Sequence, residues 1–462
     1  MKKIKTVGII LAVIVLPLIS SLAHAAQYTF IPRLNVESYY TDNLFSAPDN
    51  TESDIVTTVI PGFTAGVAGQ TAGLDIRFDP GYTIYKDNTD LNYWRVNAGL
   101  NGFVDITRDT TLSVRNTYYL TKDPNSETII NDVRANEPGI SIDPTVRQGR
   151  DKYWRNNFSA RADHQLGLDK SIFAEYRNQI LRNDNTAQYE DSDVNTGIAG
   201  LTYFFGPKWG TQIEGTYSQR TFDQTSEYIG IPSSDSEIWG GRIRLIRRFS
   251  RVTDGFFEYK YGDVSYSGGR ISTVPGAGQP TIVLNEDYTV HDARVGVNYA
   301  IENDILLTAN IGWAIKVNDV TDNQNGGVGE LTLRKTLDRG GVRFEAGAGY
   351  DLGTFNTTAQ NYGVTRFYRV GVTGDYELYR RLYGDAFGAY RNDKYIDTIP
   401  ERQEDSYLAG VGITWQPFRW GSMRLGYSYR QVKSDIDANE YTENRILLNL
   451  SFAPELPFRS YF

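Results

Sequence analysis

The longest regular feature of the chain is an alternation of apolar and polar residues between Asn92 and Thr121. Every second residue from Trp94 to Ile106 is apolar or small, whereas most of the intervening residues are polar. A polar stretch, Thr107–Thr110, separates this run from a second run with the same alternation. Successive side chains of a β-strand point to opposite faces of its sheet. The sequence therefore predicts a β-hairpin with one apolar and one polar face.

Both runs are long enough to cross a bilayer. Strands of soluble proteins usually have about 5–6 residues, whereas a membrane-spanning strand needs about 9–11. The alternation recurs along the chain up to a last predicted strand, Arg445–Phe452, and short polar turns alternate with longer loops. We therefore predict an all-β fold, a single-domain transmembrane antiparallel outer-membrane β-barrel of about 18–20 strands.

A large soluble β-sandwich or propeller is the alternative to a barrel in lipid. Sandwich strands are shorter, and a propeller should repeat its blade in the sequence, which this chain does not. Lipid cannot hydrogen-bond the backbone, so a sheet inside it must close on itself. The segment before the first predicted strand is too short for a plug domain, which disfavours a gated siderophore transporter.

The first 25 residues have the pattern of a secretory signal peptide. Three lysines precede the apolar stretch Val7–Ile19, and Ala23-His24-Ala25 has the small-residue pattern of a cleavage site. We expect Sec-type export and cleavage near Ala25. A permanent helical anchor is the alternative, but the apolar stretch is short for a membrane span.

The remaining chain divides into a barrel at 26–452 and a short C-terminal tail at 453–462. Pro454 and Pro457 should break any strand in that tail. In outer-membrane proteins the final aromatic residue of the last strand is read by the barrel-assembly machinery, which we therefore expect as a partner. Phe452 and Phe462 are the two candidates for that aromatic residue.

Composition excludes several protein classes. The chain has no cysteine, which excludes disulfides, a lipoprotein anchor and thiolate metal sites. A mean hydropathy of -0.43 excludes a polytopic helical membrane protein but not a barrel, whose strands are only half apolar. A formal net charge of -9 and the lack of a basic patch argue against nucleic acid as a partner.

The polar faces of the predicted strands carry many charges, which we predict to line the pore. The basic residues are Arg77, Arg95, Arg115, Arg155, Arg161, Arg177, Arg242, Arg244, Arg294, Arg343, Arg424 and Arg430. The acidic residues are Asp75, Asp105, Asp163, Glu175, Glu214, Glu258, Glu345 and Asp351. Opposed basic and acidic side chains in a pore choose which solutes pass.

Alternatively, these charges pair with one another and fill the interior. We favour a watery lumen because a barrel of this strand number is too wide for side chains alone to fill. The long loop Lys122–Arg150 could fold in and narrow the lumen. Outer-membrane lipid and lipopolysaccharide should surround the opposite faces, on which we predict Trp94, Val96, Leu100, Val104, Trp313, Trp415 and Phe452.

The sequence offers no clear catalytic, cofactor or metal site, and we predict no enzyme and no cofactor. His164 and His291 lack the spacing of a zinc protease, although a Ser-His-Asp hydrolase could still assemble in space. Two acidic clusters could bind calcium or bridge lipopolysaccharide, but solvated loop charge is the simpler interpretation. They are Asp49, Glu52 and Asp54, and Glu190, Asp191 and Asp193.

Three short motifs near the start of the mature chain carry a resemblance. Tyr40–Phe45, Glu52–Ile55 and Pro61-Gly62, together with the closing Glu443–Ile446, resemble the β-barrel porin type 2 family. That family includes outer-membrane proteins associated with PEP-CTERM/exosortase and exopolysaccharide gene clusters. The resemblance implies a Gram-negative outer-membrane location and suggests polysaccharide export, with polysaccharide-secretion components as partners.

Two hypotheses for the function remain besides the hydrolase. The first is a channel that passes polar solutes or exports exopolysaccharide. The second is a non-conducting barrel that holds a secretion or surface-assembly system in place.

Overall fold

The computed structural model describes residues 27–123, 149–223, 231–269, 271–274, 281–301, 304–351 and 363–461. The predicted signal peptide and most of the predicted inward-folding loop, residues 124–148, lie outside the described residues. Among the described residues, no helix is both long enough and apolar enough to cross a membrane.

The described chain consists almost entirely of β-strands. Two single-turn 3-10 helices, Thr89–Leu91 and Asp437–Asn439, interrupt them. In chain order the strands are β1 (Gln27–Thr41), β2 (Asp54–Ala68), β3 (Ala72–Tyr85), β4 (Tyr93–Thr107), β5 (Thr110–Thr121), β6 (Tyr153–Gly167), β7 (Lys170–Asn183), β8 (Asp191–Phe204), β9 (Trp209–Asp223), β10 (Asp235–Arg248), β11 (Thr253–Ser267), β12 (Ile271–Val274), β13 (Thr281–Leu284), β14 (Tyr288–Ile301), β15 (Ile305–Asn318), β16 (Gln324–Leu337), β17 (Gly340–Asp351), β18 (Thr365–Tyr379), β19 (Leu382–Tyr395), β20 (Thr398–Ile399), β21 (Arg402–Phe418), β22 (Gly421–Ser434), β23 (Tyr441–Phe452) and β24 (Phe458–Tyr461).

Twenty of these strands, each of 12 to 17 residues, form one closed antiparallel barrel. Each strand pairs with its neighbours in the chain, and β1 closes the ring by pairing with β23, with Leu34 opposite Phe452. Closure gives the backbone groups of every barrel strand a partner on both sides, as lipid requires. The predicted fold class and strand number are confirmed.

The closing seam contains a strand that the sequence did not predict. Pro454 and Pro457 lie in the stretch between β23 and β24 that is outside any strand. Beyond them, β24 pairs with the first residues of β1, so that Phe458 lies opposite Phe30. The lower part of β1 therefore has β24, rather than β23, as its neighbour.

The hairpin predicted from the sequence is β4–β5. Its register places Val96 opposite Leu120 and Val104 opposite Leu112, so apolar residues pair with apolar residues on one face. The Trp94 side chain on this face is 61% exposed, which fits a side chain that contacts lipid in the membrane. Alternating hydrophobicity thus fixed both the strands and their common outer face.

The two ends of the barrel differ in their connections. Turns of two to four residues join the strands at one end, for example residues 108–109 between β4 and β5. Longer loops join them at the other end, where β12, β13 and β20 form a small separate sheet. In outer-membrane barrels the short turns face the periplasm, which assigns the loop end to the cell exterior.

Candidate functional site in the barrel interior

Strand register brings the predicted pore-lining residues onto one common face. Glu214 pairs directly with Arg242, and Glu258 pairs with both Arg244 and Arg294. Directly paired residues point to the same side of a sheet, so these charges share a face across β9, β10, β11 and β14. The opposite face carries large exposed apolar residues such as Trp313. The charged face is therefore the interior of the barrel.

All predicted pore-lining residues lie on the barrel strands. They are Asp75 and Arg77 on β3, Arg95 and Asp105 on β4, Arg115 on β5, Arg155, Arg161 and Asp163 on β6, Glu175 and Arg177 on β7, Glu214 on β9, Arg242 and Arg244 on β10, Glu258 on β11, Arg294 on β14, Arg343, Glu345 and Asp351 on β17, and Arg424 and Arg430 on β22. Their role in conduction stays a prediction.

The predicted lipid-facing residues also lie on barrel strands. Trp94, Val96, Leu100 and Val104 lie on one face of β4. Trp313 on β15 pairs with Ala293 on β14. Trp415 pairs with Leu382 and Met423, and Phe452 ends β23. Trp313 and Trp415 are exposed large aromatic residues. Contact of these side chains with lipid stays a prediction.

One part of the interior is open to water. We call the inner faces of β3 to β7 the wet wall, represented by Arg77, Arg115, Arg161, Glu175 and Arg177. The side chains of Arg77 and Arg177 are 55% and 52% exposed. Arg177 donates to Glu175 at 2.6 Å, and Arg161 lies 3.3 Å from the same carboxylate. Arg77 and Arg177 are therefore half exposed although each is paired with a carboxylate.

Another part of the interior is packed and dry. We call Arg391, Asp393, Arg402, Glu404 and Arg430, on β19, β21 and β22, the dry wall. The Nε of Arg391 donates to both carboxylate oxygens of Asp393, at 2.9 and 2.8 Å, and the Asp393 side chain is fully buried. Arg402 forms an ion pair with Glu404, which is equally hidden from water. Here the charges neutralise one another and fill space.

Loops at the extracellular end of the barrel contact one another. Five loop segments, 184–190, 231–234, 268–287, 363–364 and 396–401, contact each other in succession, and we call their described residues the loop belt. Ser233 donates to Glu190 from its backbone N at 2.8 Å and its hydroxyl at 2.6 Å. The hydroxyl of Ser234 donates to the carbonyl of Gly269 at 2.8 Å. The belt thereby links the loop after β7 to the loop after β11.

Asp397 joins the other half of the belt to the barrel wall. Its carbonyl accepts from the backbone N of Leu284 at 2.8 Å, and its carboxylate accepts from the backbone N of Val364 at 2.9 Å. Lys316 on β15 donates its Nζ to the same carboxylate at 2.8 Å. Burial raises the pKa of the Asp397 carboxyl, an effect that Lys316 opposes. This pair therefore fastens three loops to the wall.

A second group of loops folds inward near β1. Arg150 donates its Nε to the carbonyl of Leu44 at 2.8 Å and lies 3.2 Å from Asp123. Leu44 is fully buried against Val56 and Tyr85. Both groups of loops thus contact side chains of the barrel wall at its extracellular end.

The acidic clusters considered for calcium have other partners. Asp54 accepts from the backbone N of Lys86, Asp87 and Asn88, each at 3.1 Å. Glu190 is held by Ser233. Asp191 and Asp193 both form ion pairs with Arg182. In the described ranges, no group of three histidine or acidic side chains is placed to hold a metal ion.

Below the loop belt the wall contains a recess, which we call the alcove. It has a volume of about 480 Å³, and its charged and hydroxyl-bearing lining includes Glu214, Arg242, Lys260, Asp292, Arg294 and Tyr350. Gly240 on β10 pairs with Gly262 on β11, so two neighbouring interior positions carry no side chain. The missing side chains create the recess.

Sequence reasoning missed several charged residues of the interior. Lys260 and Asp292 line the alcove, and each stands two positions from a residue that was predicted, Glu258 and Arg294. That spacing of two was the signal that could have identified them. Asp385, which forms an ion pair with the predicted Arg424, was also missed.

The two histidines of the described chain have hydroxyl partners. The Nδ1 of His164 is 2.8 Å from the Thr110 hydroxyl, and the Nδ1 of His291 is 2.7 Å from the Tyr259 hydroxyl. His291 pairs with Ile315, next to the outward Trp313, and so lies on the outer face. Neither contact has the serine and carboxylate arrangement of a hydrolase triad.

The sequence profile of a family described as Putative beta-barrel porin 2 matches residues 23–141 and 342–453, together half of the chain. The first match spans β1 to β5, and the second spans nearly all of β17 to β23, so they flank the closing seam. No protein of curated function matches the chain in sequence.

Several solved outer-membrane structures are similar at low sequence identity. The siderophore receptor PirA from Acinetobacter baumannii is 10% identical, with a TM-score of 0.49 over 92% of this chain and 80% of that chain. OccK2 (OpdF) from Pseudomonas aeruginosa is 11% identical, with a TM-score of 0.43 over 92% and 98%. A BenF-like porin from Pseudomonas fluorescens Pf-5 is 12% identical, with a TM-score of 0.42 over 92% and 99%.

Proposed function

The chain belongs to the Putative beta-barrel porin 2 family, and from that premise we propose that it is a channel for polar solutes. It is a porin-like outer-membrane β-barrel. The observation that carries the proposal is the wet wall. The side chains of Arg77 on β3 and Arg177 on β7 are more than half exposed. Such arginines need water beside them, because removing a charge from water without full pairing costs free energy.

The interior also carries fixed charges, which are typical of a selective pore rather than of an unselective one. Cations and carboxylates alternate along the wet wall, for example Arg161, Glu175 and Arg177. Such fixed charges attract some solutes and repel others as they pass. Small hydrophilic solutes, and extended hydrophilic polymers, are the substrates that fit this lining.

Export of exopolysaccharide is the finer form of this proposal. The family resemblance seen in the sequence supports it, and it would make polysaccharide-secretion components the periplasmic partners. In the same proposal the first 25 residues direct Sec-type export and are removed near Ala25. The barrel-assembly machinery then inserts the chain among outer-membrane lipid and lipopolysaccharide.

Liposome swelling tests the channel directly. Purified protein in liposomes should admit sugars up to a defined size, and larger sugars should fail to cause swelling. Lys316→Met, which removes the cation that fastens the loop belt, should admit larger sugars than the unaltered protein. Lys335→Met is the matched control, because Lys335 is an exposed residue at the turn end of β16. If both the unaltered protein and Lys316→Met exclude the smallest sugar, the channel proposal is wrong.

A second function, a non-conducting docking barrel, is favoured by one observation. The charges of the dry wall are buried, and Lys316 fastens the loop belt to the barrel wall. A barrel sealed in this way would act by holding other proteins. Neither the unaltered protein nor Lys316→Met would then conduct, and the unaltered protein would copurify with a periplasmic complex.

We also propose that the chain is not an enzyme. The support is that, among the residues described, His164 and His291 hydrogen-bond to the hydroxyl groups of Thr110 and Tyr259. The unaltered protein should show no lipase or protease activity, so replacing either histidine with alanine should change neither. A hydrolytic activity that disappears in one of these variants would contradict this part of the proposal.

A further inference from the structure

We propose that the alcove is a saturable binding site for a single carboxylate-bearing solute, an organic acid or an acidic sugar. The inference deepens the channel proposal and rests on it, because a solute that occupies the alcove must first enter the lumen. Family membership says nothing of this recess. Its shape, its charge and its position below the loop belt carry the inference.

The alcove has the size of a ligand site. Small-molecule sites usually have volumes of about 300–1,000 Å³ and combine apolar walls with a few polar groups. The alcove has about 480 Å³, which accommodates a monosaccharide or a small organic acid. Gly240 and Gly262 form its back wall, and Ile238, Val290 and Val328 give it apolar sides. A flat, non-polar face of a ring would pack against these side chains.

The charge of the alcove is unbalanced towards the positive. Three cations line it, Arg242, Lys260 and Arg294, against the two carboxylates of Glu214 and Asp292. Glu258, next to the recess, forms ion pairs with both Arg244 and the alcove cation Lys260. Counting Glu258 and Arg244 together with the lining gives four cations for three carboxylates. A carboxylate ligand would supply the missing negative charge.

The cations differ in how tightly they are already held. Arg294 is fixed by Asp292, to which it donates from both Nε and a terminal nitrogen at 2.7–3.0 Å. The side chain of Lys260, in contrast, is 42% exposed and makes one ion pair of 3.1 Å with Glu258. Lys260 can therefore turn towards a ligand at little cost, which makes it the residue on which binding should depend most.

Arg242 contributes a donor with no partner among the described residues. Its terminal nitrogen donates to Glu214 at 2.9 Å, but its Nε is buried and makes no hydrogen bond with the part of the chain that the structure describes. A buried donor without a partner costs free energy until something accepts from it. Carboxylate oxygens are strong acceptors for guanidinium donors. Because this Nε is buried in the present conformation, an anion in the alcove would meet this need after a rotation of the Arg242 side chain.

The lining is compatible with two sources of a carboxylate, an acidic sugar and a simple organic acid. Thr216 and Tyr350 place hydroxyl groups beside the recess, where they can bond to the hydroxyls of an acidic sugar. The apolar sides suit the hydrocarbon of a simple organic acid equally well. Glucuronate and benzoate therefore represent the two sources in the test, and glucose is the neutral control for glucuronate.

Equilibrium binding is the decisive measurement, since it is independent of conduction. Titration calorimetry on the folded full-length protein in detergent should show one saturable site for glucuronate or benzoate and none for glucose. Lys260→Met should weaken binding at least tenfold. Gly240→Val should abolish binding with every charge retained, because it fills the recess. A Cβ at Gly240 is in ordinary contact, with Thr216 at 3.5 Å, so the fold should accept the change.

Lys335→Met is the matched control, since it removes an exposed cation at the turn end of β16, outside the alcove and outside the predicted pore lining. Its binding constant should equal that of the unaltered protein. Equal weakening in Lys260→Met and Lys335→Met would mean general attraction to the charge of the protein and would overturn the inference, as would glucose binding as tightly as glucuronate. Binding without conductance would refute the channel proposal but support the binding site in the alcove. Conductance without binding would support the channel and refute the binding site. Heat-modifiable migration of each variant verifies that the barrel is folded.

Discussion

The wet wall and the dry wall arise from the same kind of sequence. Both consist of strands in which arginine and acidic residues alternate with apolar ones. On β7, Glu175 and Arg177 stand two residues apart, as do Arg391 and Asp393 on β19. The side chain of Arg177 is 52% exposed, whereas that of Arg391 is 9% exposed. The alternation therefore decides which way a charge points, but it does not decide whether water reaches it.

This difference should separate the energetic roles of the two walls. Exposed ion pairs contribute little to stability, about 0–1 kcal/mol. Removing one partner of a buried pair costs about 3–5 kcal/mol, because the other charge is left uncompensated. Charges on the dry wall should hold the fold together, and those on the wet wall should act on solutes.

The largest effect should come from the dry wall. Asp393→Asn leaves the Arg391 guanidinium buried without its carboxylate, and should lower the free energy of unfolding by about 3–5 kcal/mol. Urea unfolding in lipid vesicles, followed by tryptophan fluorescence, measures this. The double variant Arg391→Leu/Asp393→Leu is the control and should lose much less, because apolar side chains replace both charges. If Asp393→Asn were as stable as the unaltered protein, the wet wall and the dry wall would not differ in their contribution to stability.

A smaller but still large effect should follow from Lys316→Met. The Lys316 and Asp397 side chains are 1% and 6% exposed, so the variant leaves a buried carboxylate without its cation. The loops that Asp397 holds should separate from the wall. Hydrogen exchange at the Leu284 and Val364 amides should become faster, and single-channel conductance should increase. Unchanged exchange at both amides would show that the belt does not depend on this pair.

Arg177→Ala on the wet wall should barely affect stability and should change selectivity instead. We expect a loss of no more than about 1 kcal/mol in the free energy of unfolding. The lumen loses a positive charge, so the preference of the channel should move towards cations. The reversal potential in a potassium chloride gradient reports that preference. A loss of stability comparable to that of Asp393→Asn would mean that the exposed wall is structural as well.

The smallest effect should be the dependence of the loop belt on pH. Burial raises the pKa of the Glu190 carboxyl, while its hydrogen bonds from Ser233 act in the opposite direction. A carboxyl whose pKa is raised by folding binds its proton more tightly in the folded state. Its stabilising contribution is therefore complete below its ordinary pKa of about 4.3, and is lost as the pH rises through the raised value.

The Ser233 amide should accordingly show a protection factor that falls as the pH rises through this interval. Glu190→Gln cannot ionise and should show a protection factor that stays level over the same interval. Hydrogen exchange corrected for its intrinsic pH dependence measures both. Identical slopes in the two proteins would exclude Glu190 as the titrating group.

Much of this molecule could be predicted from alternation alone. A period of two needs only neighbouring residues, and so the β4–β5 hairpin and its outward Trp94 follow directly from the sequence. The common face of Glu214 and Arg242 follows in the same way once strand register is added. Closure of the antiparallel barrel was predictable because every backbone group in lipid must be paired, and the strand number of about 18–20 followed from counting the alternating segments.

Contacts between distant parts of the chain could not be predicted in this way. Arg150 is buried because it reaches the carbonyl of Leu44, 106 residues earlier. Thr41 donates to Glu443 across 402 residues. Nothing in the local pattern identifies such partners, and they determine which charges are dry. The recess at Gly240 and Gly262 was equally hidden, because it needs the register of two strands at once.

The seam at β1 has a consequence for how the barrel is completed. β23 reaches only as far down β1 as Leu34, and β24 covers Gln27–Phe30 beyond it. Until the segment after Pro457 arrives, those first residues of β1 offer an uncovered edge. Such an edge is a template on which a strand of another molecule can dock. Pairing with the final short strand thus removes an edge at which two copies of the barrel could join.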